Sequence, residues 1–152
     1  MGLFKQSKTL NKDQISLIKT FLSKKRNGLR NVTIFLLSVK CGLRAKEISR
    51  LQWNMILDSD GNMSDFIQLP NSAAKGKSGR IIPLNKEVKE TLISLFGASK
   101  NLYAFNTKTS FVVRTERSPF TTSQSIVNMF SSWYKKLGLI GCSSHSGRRT
   151  FI

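Results

Sequence analysis

The sequence predicts an α+β fold, a mostly helical domain with a small antiparallel sheet at one edge. Apolar residues recur at helical spacing along most of the 152 residues, whereas residues 53–84 carry the alternation typical of strands. An apolar content of 39% is enough for one domain with a single core. We therefore expect a basic N-terminal arm over residues 1–9 and one folded domain over residues 10–152.

Three helices are predicted ahead of the strands. Asn11 is a candidate N-cap for the first because Gln14 follows at the spacing of a capping box, and Gly28 is expected to end that helix. The second helix is more apolar and stops at Gly42. Arg44 then falls in the first turn of a short third helix. The positions predicted to face the core are Ile15, Ile18, Phe21, Leu22, Val32, Phe35, Leu36, Val39, Ile48 and Leu51.

The rest of the chain predicts a hairpin and two longer helices. In order, we expect a turn at 60–62, strands at 65–69 and 80–84, a helix from Asn85 to Gly97, and a helix from Thr121 or Thr122 to Gly138. Alternation defines the strands, and capping residues and glycine stops define the helices.

The charge of the chain indicates its class of partner. Lys and Arg number 25 against 8 Asp and Glu, giving a net charge of +17. This excess favours a polyanionic partner, although on charge alone a merely basic ribosomal or membrane-surface protein is an equal alternative. No apolar run approaches membrane-spanning length, so no membrane partner is expected.

The cysteine and histidine content argues against a metal site. With one histidine, His145, the thiols of Cys41 and Cys142 cannot complete a usual zinc site, so no metal or cofactor is expected. The sequence opens with no signal peptide, and the cysteines are expected to be free thiols in a reducing compartment. A nucleophile–base pair of Cys142 and His145 is disfavoured because the surrounding loop offers no third orienting group.

Two segments place cationic residues where they can meet an anion. In CGLRAKEI, Arg44 follows a glycine stop at a helix start, and Glu47 lies one turn on, where it can hold the guanidinium or form an ordinary surface ion pair. In AKGKSGRIIPL, Lys75 and Lys77 sit on a glycine-rich hairpin, and their alternative is a solvated turn. A P-loop is rejected because that motif needs glycine where Asn71 stands and a strand-to-helix context.

A third segment, SSHSGRRTF, carries the only histidine. Arg148 follows His145 by one helical turn and is expected on the same side, and Arg149 comes next. Each segment alone is weak, since a lone loop histidine is usually unremarkable. All three in this order, separated by plausible elements, form a strong signal.

Together the three segments resemble the catalytic domain of the tyrosine recombinase (phage integrase) family over nearly the whole chain. The resemblance implies the fold of that DNA breaking-rejoining domain and metal-free phosphoryl transfer in site-specific DNA recombination or integration. It implies that Arg44 and Arg148 bind the scissile phosphate. It assigns the general acid to Lys75, with Lys77 as the reserve choice, and implies that His145 assists proton transfer or binds the phosphate.

The chain departs from the family pattern in two respects. Arg149 stands where the family frequently has histidine, which affects a supporting contact. The family's nucleophilic tyrosine lies beyond the His-x-x-Arg segment, where this sequence has ended. Tyr103 and Tyr134 are expected to be packing or DNA-facing aromatics, so we expect the chain alone to form no covalent DNA adduct.

Two functions are compatible with these features. In the first, the chain is a truncated catalytic domain from a phage- or mobile-element-encoded recombinase, and its parent is an enzyme. In the second, it is a non-catalytic DNA-binding regulator or partner derived from an integrase. Either implies double-stranded DNA as partner, with other recombinase protomers as further candidates, and a cytoplasmic, nucleoid-associated location.

Overall fold

The computed structural model describes residues 7–70 and 79–151, which form six α-helices and a two-stranded sheet. The helices are α1 Lys12–Ser23, α2 Gly28–Val39, α3 Ala45–Arg50, α4 Lys86–Ser99, α5 Ser123–Lys136 and α6 Ser146–Phe151. The strands are β1 Phe66–Leu69 and β2 Arg80–Pro83, and a short 3₁₀ turn spans Trp53–Met55. The predicted class, a mostly helical domain with a small antiparallel sheet, is confirmed. Within the described residues no helix is both long and apolar enough to cross a bilayer.

The start of α1 follows the local sequence signal. The backbone N–H of Gln14 donates to Asn11 Oδ1 at 2.8 Å, and the backbone N–H of Asn11 donates to Gln14 Oε1 at 2.9 Å, which is a capping box. The predicted end at Gly28 is wrong. The helix stops at Ser23, and Gly28 is the first residue of α2 because Asn27 takes the left-handed conformation, with φ of 59°, ahead of it.

Helix α2 is the central element of the core. Six consecutive residues from Ile34 to Val39 are buried, and α1, α3, α4 and α6 all pack against this helix. A helix that is apolar nearly all round belongs in the interior. Its C-terminal end therefore has α3 and α6 as immediate neighbours, and these two helices carry or directly follow the predicted site residues Arg44, Glu47, His145, Arg148 and Arg149.

Helix α4 begins as predicted and runs further than predicted. Asn85 Oδ1 accepts a hydrogen bond from the Val88 N–H at 2.8 Å, confirming the cap. The predicted end of the helix at Gly97 is wrong, because Gly97 lies inside it. An interior glycine costs about 1 kcal/mol, which is less than the burial of Leu92 or Leu95 contributes, at about 1.5–3 kcal/mol each.

The hairpin has the predicted pairing. In β1 and β2, Ile67 lies opposite Ile82 and Leu69 lies opposite Arg80. Ile67 and Ile82 are buried, whereas the alternate positions face solvent. The region from Trp53 onward, predicted as strand, starts instead with the 3₁₀ turn. The buried Trp53 ring in this turn packs on Phe96 of α4 at a centroid distance of 5.0 Å.

The C-terminal part is tied to the start of the described chain. Thr122 caps α5 through its Oγ1, which accepts from the Ser125 N–H at 3.1 Å, and Gly138 follows that helix with φ of 71° as predicted. The Lys8 N–H donates to the Gly141 carbonyl at 2.9 Å, and the Leu10 N–H donates to Thr150 Oγ1 at 2.8 Å. The first of these bonds holds the loop that precedes α6, and the second holds α6 itself.

Candidate active site

The centre of the candidate site is the buried carboxylate of Glu47, one turn into α3. Its Oε1 accepts the backbone N–H of Arg44, the N-cap residue, at 2.8 Å. The same oxygen accepts Nη2 of Arg80 at 3.0 Å and lies 3.7 Å from Nη1 of Arg148. The Glu47 side chain is only 2% exposed. A buried carboxylate requires such partners, so Glu47 fixes the positions of the arginines around it.

Arg148 reaches this carboxylate from α6. Its Nη1 is shielded from solvent and has no hydrogen-bond partner among the described residues, because 3.7 Å is too long for one. Burial and the neighbouring guanidinium of Arg44 lower the pKa of Arg148, Glu47 raises it, and Arg80 lowers it further. Arg148 stays protonated at any ordinary pH. It is therefore a charged donor held close to other cations.

Gly42 allows α6 to approach. Its φ is +70°, and a Cβ there would lie 2.6 Å from the Phe151 ring. Only glycine accepts both conditions easily. The glycine two residues before Arg44 thus lets Phe151 pack against the end of α2, which brings Arg148 beside Glu47. A cavity of about 490 Å³ opens there, lined by Cys41, Gly42, Arg80, Ile81, Ile82, Pro83, Arg148 and Phe151.

Arg80 belongs to this cluster, although the sequence predicts no role for it. It begins β2 and points to the same side of the sheet as the buried Ile82, two residues on. An arginine on a buried face needs an acidic partner, and Glu47 supplies it. The alternation of buried and exposed residues in β2 could have indicated that Arg80 faces inward. It could not indicate the partner, because Glu47 is 33 positions away in sequence. We refer to Arg44, Arg80, Arg148 and Glu47 as the arginine cluster.

The other predicted site residues lie around this cluster or outside the description. His145 is exposed immediately before α6, and its side chain makes no hydrogen bond or ion pair in the described part of the chain. Arg149 is exposed on α6, and its backbone N–H donates to the His145 carbonyl at 3.0 Å. Lys75 and Lys77 lie outside the described residues.

Neither tyrosine lines the cavity at the arginine cluster. Tyr103 is 93% exposed and lines a different cavity together with Arg30, near the start of α2. Tyr134 is buried in α5, its Oη has no described partner, and burial raises the pKa of this phenol. Both cysteines are free thiols; Cys41 is buried, which raises its pKa to about 12.

The sequence places the chain among known proteins. Residues 8–152 match the model of the phage integrase family. The chain therefore belongs to that family, the tyrosine recombinases named by the resemblance above. No sequence among the curated proteins matches it.

Solved structures of recombinases share its fold. The XerA recombinase superposes with a TM-score of 0.75 at 19% identity, over 94% of this chain and 48% of that one. The Tn1549 transposon integrase in complex with circular intermediate DNA gives 0.67 at 20%, over 94% and 50%. The lambda integrase bound to DNA gives 0.69 at 19%, over 95% and 49%. The chain thus spans about half the length of each of these proteins.

Proposed function

We propose that this chain provides the phosphate-binding part of a tyrosine recombinase catalytic domain, acting in site-specific DNA recombination or integration. Family membership supports the reaction class. The observation that carries the proposal is the arginine cluster: the guanidinium groups of Arg80 and Arg148 meet at the buried carboxylate of Glu47 beside an open cavity, and the guanidinium of Arg44 is near enough to lower the pKa of Arg148. Residues 44, 80 and 148 are far apart in sequence, so the fold itself brings these arginines together, which is not expected of ordinary surface arginines.

The charge of the cluster suits phosphoryl transfer. Three guanidinium groups and one carboxylate leave two positive charges. A phosphodiester carries one negative charge, and its pentavalent transition state carries two. The cluster is therefore matched more closely to the transition state than to the ground state, which is the condition for catalysis by differential binding.

Arg44 and Arg148 are the groups proposed to bind the non-bridging oxygens. Arg148 lines the open cavity, and Arg44, which is half-buried, is the N-cap of α3 with its backbone N–H held by Glu47. Arg80 is proposed to position Glu47 and to add positive charge. This arrangement costs no reorganisation when the phosphate arrives, because the carboxylate already holds the cations together.

The proton transfers are assigned by family resemblance. A tyrosine Oη attacks the phosphorus, the bond from phosphorus to the 5′ oxygen breaks, and the 5′ oxygen takes a proton from Lys75 or, in the reserve assignment, Lys77. The product is a 3′-phosphotyrosyl link. His145, exposed at the start of α6, is proposed to accept the tyrosine proton or contact the phosphate.

Neither tyrosine of this sequence is proposed as that nucleophile. Tyr134 is buried with a raised pKa, which disfavours the phenolate needed for attack. Tyr103 shares a cavity with Arg30, whereas the arginine cluster lies past the other end of α2 at Gly42. Arg30 and the last helical residue, Val39, are nine positions apart on α2, a span of about 14 Å at helical rise.

Double-stranded DNA is the proposed partner. The lambda integrase and Tn1549 integrase structures are DNA complexes, and the net charge of +17 fits a polyanion. Since no base-reading feature stands out, binding is proposed to depend mainly on backbone phosphates.

The test is fluorescence anisotropy of a labelled 20-base-pair duplex over a range of salt concentrations. The slope of log K against log salt should be about −0.9 for each phosphate neutralised. Arg148→Gln should weaken binding about tenfold, the loss expected for one charged hydrogen bond. The matched control is Arg117→Gln, which removes the same charge from an exposed arginine outside the cluster. A salt-independent affinity would contradict the proposal and indicate a protein partner, and equal losses in both variants would remove Arg148 from the site.

A further inference from the structure

A second cavity, of about 370 Å³, lies between α3 and the N-terminal end of α5. Its lining includes Lys46, Arg50, Phe111, Phe120, Thr121 and Ser123. It shares no residue with the cavity at the arginine cluster. We call it the α3–α5 cavity.

The charge at the α3–α5 cavity is entirely positive. Lys46 and Arg50 lie four residues apart on α3, which places them on one face of the helix, and both are exposed. Neither forms an ion pair within residues 7–70 and 79–151, and no acidic residue lines the cavity. All eight acidic residues of the sequence lie inside those ranges, so none is available from elsewhere in the chain.

The start of α5 adds unpaired backbone donors. This helix has 14 residues and no acidic side chain in its first turn. Thr122 Oγ1 accepts a hydrogen bond from the Ser125 N–H. The N–H groups of Ser123 and Gln124 are left without an intrahelical acceptor. Such donors, together with the positive end of the helix dipole, favour an anion.

Thr121 supplies an independent observation. It lines the cavity and is only 8% exposed, and its buried Oγ1 has no hydrogen-bond partner among the described residues. An unsatisfied buried hydroxyl is unfavourable unless something else accepts its proton. A rotation of the Thr121 side chain would bring this hydroxyl to a ligand with acceptor oxygens in the cavity.

We propose that the α3–α5 cavity binds a second backbone phosphate of the DNA duplex, held by Lys46, Arg50 and the start of α5. The proposal rests on the proposed function for its ligand. The exposed ring of Phe120 provides an apolar wall on which the neighbouring deoxyribose can lie. A free phosphate ion has no apolar part that could contact the Phe120 ring.

Two phosphate contacts hold the duplex in one orientation. Arg44 is the N-cap of α3 and Arg50 is its last residue, so the backbone positions of these two arginines lie about 9 Å apart along the helix axis. One phosphate contact leaves the duplex free to rotate about it, whereas a second contact fixes how the duplex lies on the protein.

The test compares two double variants of the 152-residue chain by anisotropy with the same 20-base-pair duplex. Lys46→Gln with Arg50→Gln removes the charges at the cavity. Lys135→Gln with Lys136→Gln removes two exposed charges from the other end of α5 and is the matched control. The first pair should weaken binding about tenfold more than the second, and should reduce the salt slope by about 0.9, for one lost phosphate.

Thr121→Val separates a ligand contact from a structural one. Valine replaces the hydroxyl by a methyl group of similar size, so the melting temperature should stay the same or rise, while DNA affinity falls several-fold. A lower melting temperature with unchanged affinity would overturn the proposal, and so would equal losses in the two double variants. If the unaltered chain shows no salt-dependent DNA binding, the proposed function fails first. If the unaltered chain binds DNA as expected but the variants of the α3–α5 cavity bind as tightly as their controls, only the second site is refuted.

Discussion

Replacing Glu47 by Gln tests whether one buried carboxylate organises the site. The substitution keeps the shape of the side chain and removes the negative charge that Oε1 presents to the Arg44 N–H, to Arg80 and to Arg148. Three guanidinium groups would then lie together with no counter-charge. We expect the folded state to be destabilised and α6 to loosen from α3.

The magnitude follows from burial. Removing one partner of a fully buried ion pair costs about 3–5 kcal/mol. Here the carboxylate is buried, but the side chains of Arg80 and Arg148 are 34% and 23% exposed, so water compensates part of their charge. We therefore expect a loss of about 2 kcal/mol, which lowers the melting temperature of a domain of this size by about 4–8 °C.

The assay is urea and thermal unfolding followed by circular dichroism. Glu90→Gln is the control, since Glu90 is exposed and makes no ion pair among the described residues, and its effect should stay within about 0.5 kcal/mol. Adding Arg80→Gln to Glu47→Gln should recover part of the loss, because the unpaired guanidinium is removed with its partner. A Glu47 variant as stable as the Glu90 control would refute the idea that Glu47 holds the cluster.

Two further substitutions test the packing around the site. Gly147→Ala should destabilise the fold by about 1–3 kcal/mol, because the added Cβ would lie only 2.9 Å from the Cβ of Ser38 on α2. Gly97→Ala should stabilise α4 by about 0.5–1 kcal/mol, because its added Cβ meets nothing within 4 Å. Urea unfolding of both variants measures these changes. Tyr134→Phe should not lower stability, since the buried Oη has no described partner. Because the folded-state pKa of Tyr134 lies above its usual 10.0, the unaltered protein should lose stability as the pH rises past 10.0, and it should do so more steeply than the Phe variant. Equal pH profiles would show that Tyr134 is not buried as described.

Signals confined to a few residues were readable from the sequence. The capping box of Asn11 and Gln14 closes within four positions, and Asn85 and Thr122 cap their helices in the same way. Such hydrogen bonds depend only on neighbours along the chain, so residue types predict them. The pairing of the two strands was equally accessible through their alternation.

Glycine stops were less reliable, because glycine permits a left-handed turn without requiring one. Gly42 and Gly138 have positive φ and lie where the helices were expected to end. Gly28 starts a helix, because the left-handed position went to Asn27, and Gly97 stays inside α4. In the fold α2 and α4 pack against each other, and no local pattern records that packing.

For this protein, the sequence alone determined the class of fold, the family, and the Arg44, Glu47 and Arg148 segments, because each depends on residue types at short spacing. Only the tertiary structure decided that Glu47 is buried and that Arg80 shares its carboxylate. It also decided that the cavity beside α5 is lined by basic residues without acidic neighbours. Electrostatic partners are chosen by distance in space, and burial determines how strongly they interact. Neither quantity exists until elements more than thirty residues apart have packed together.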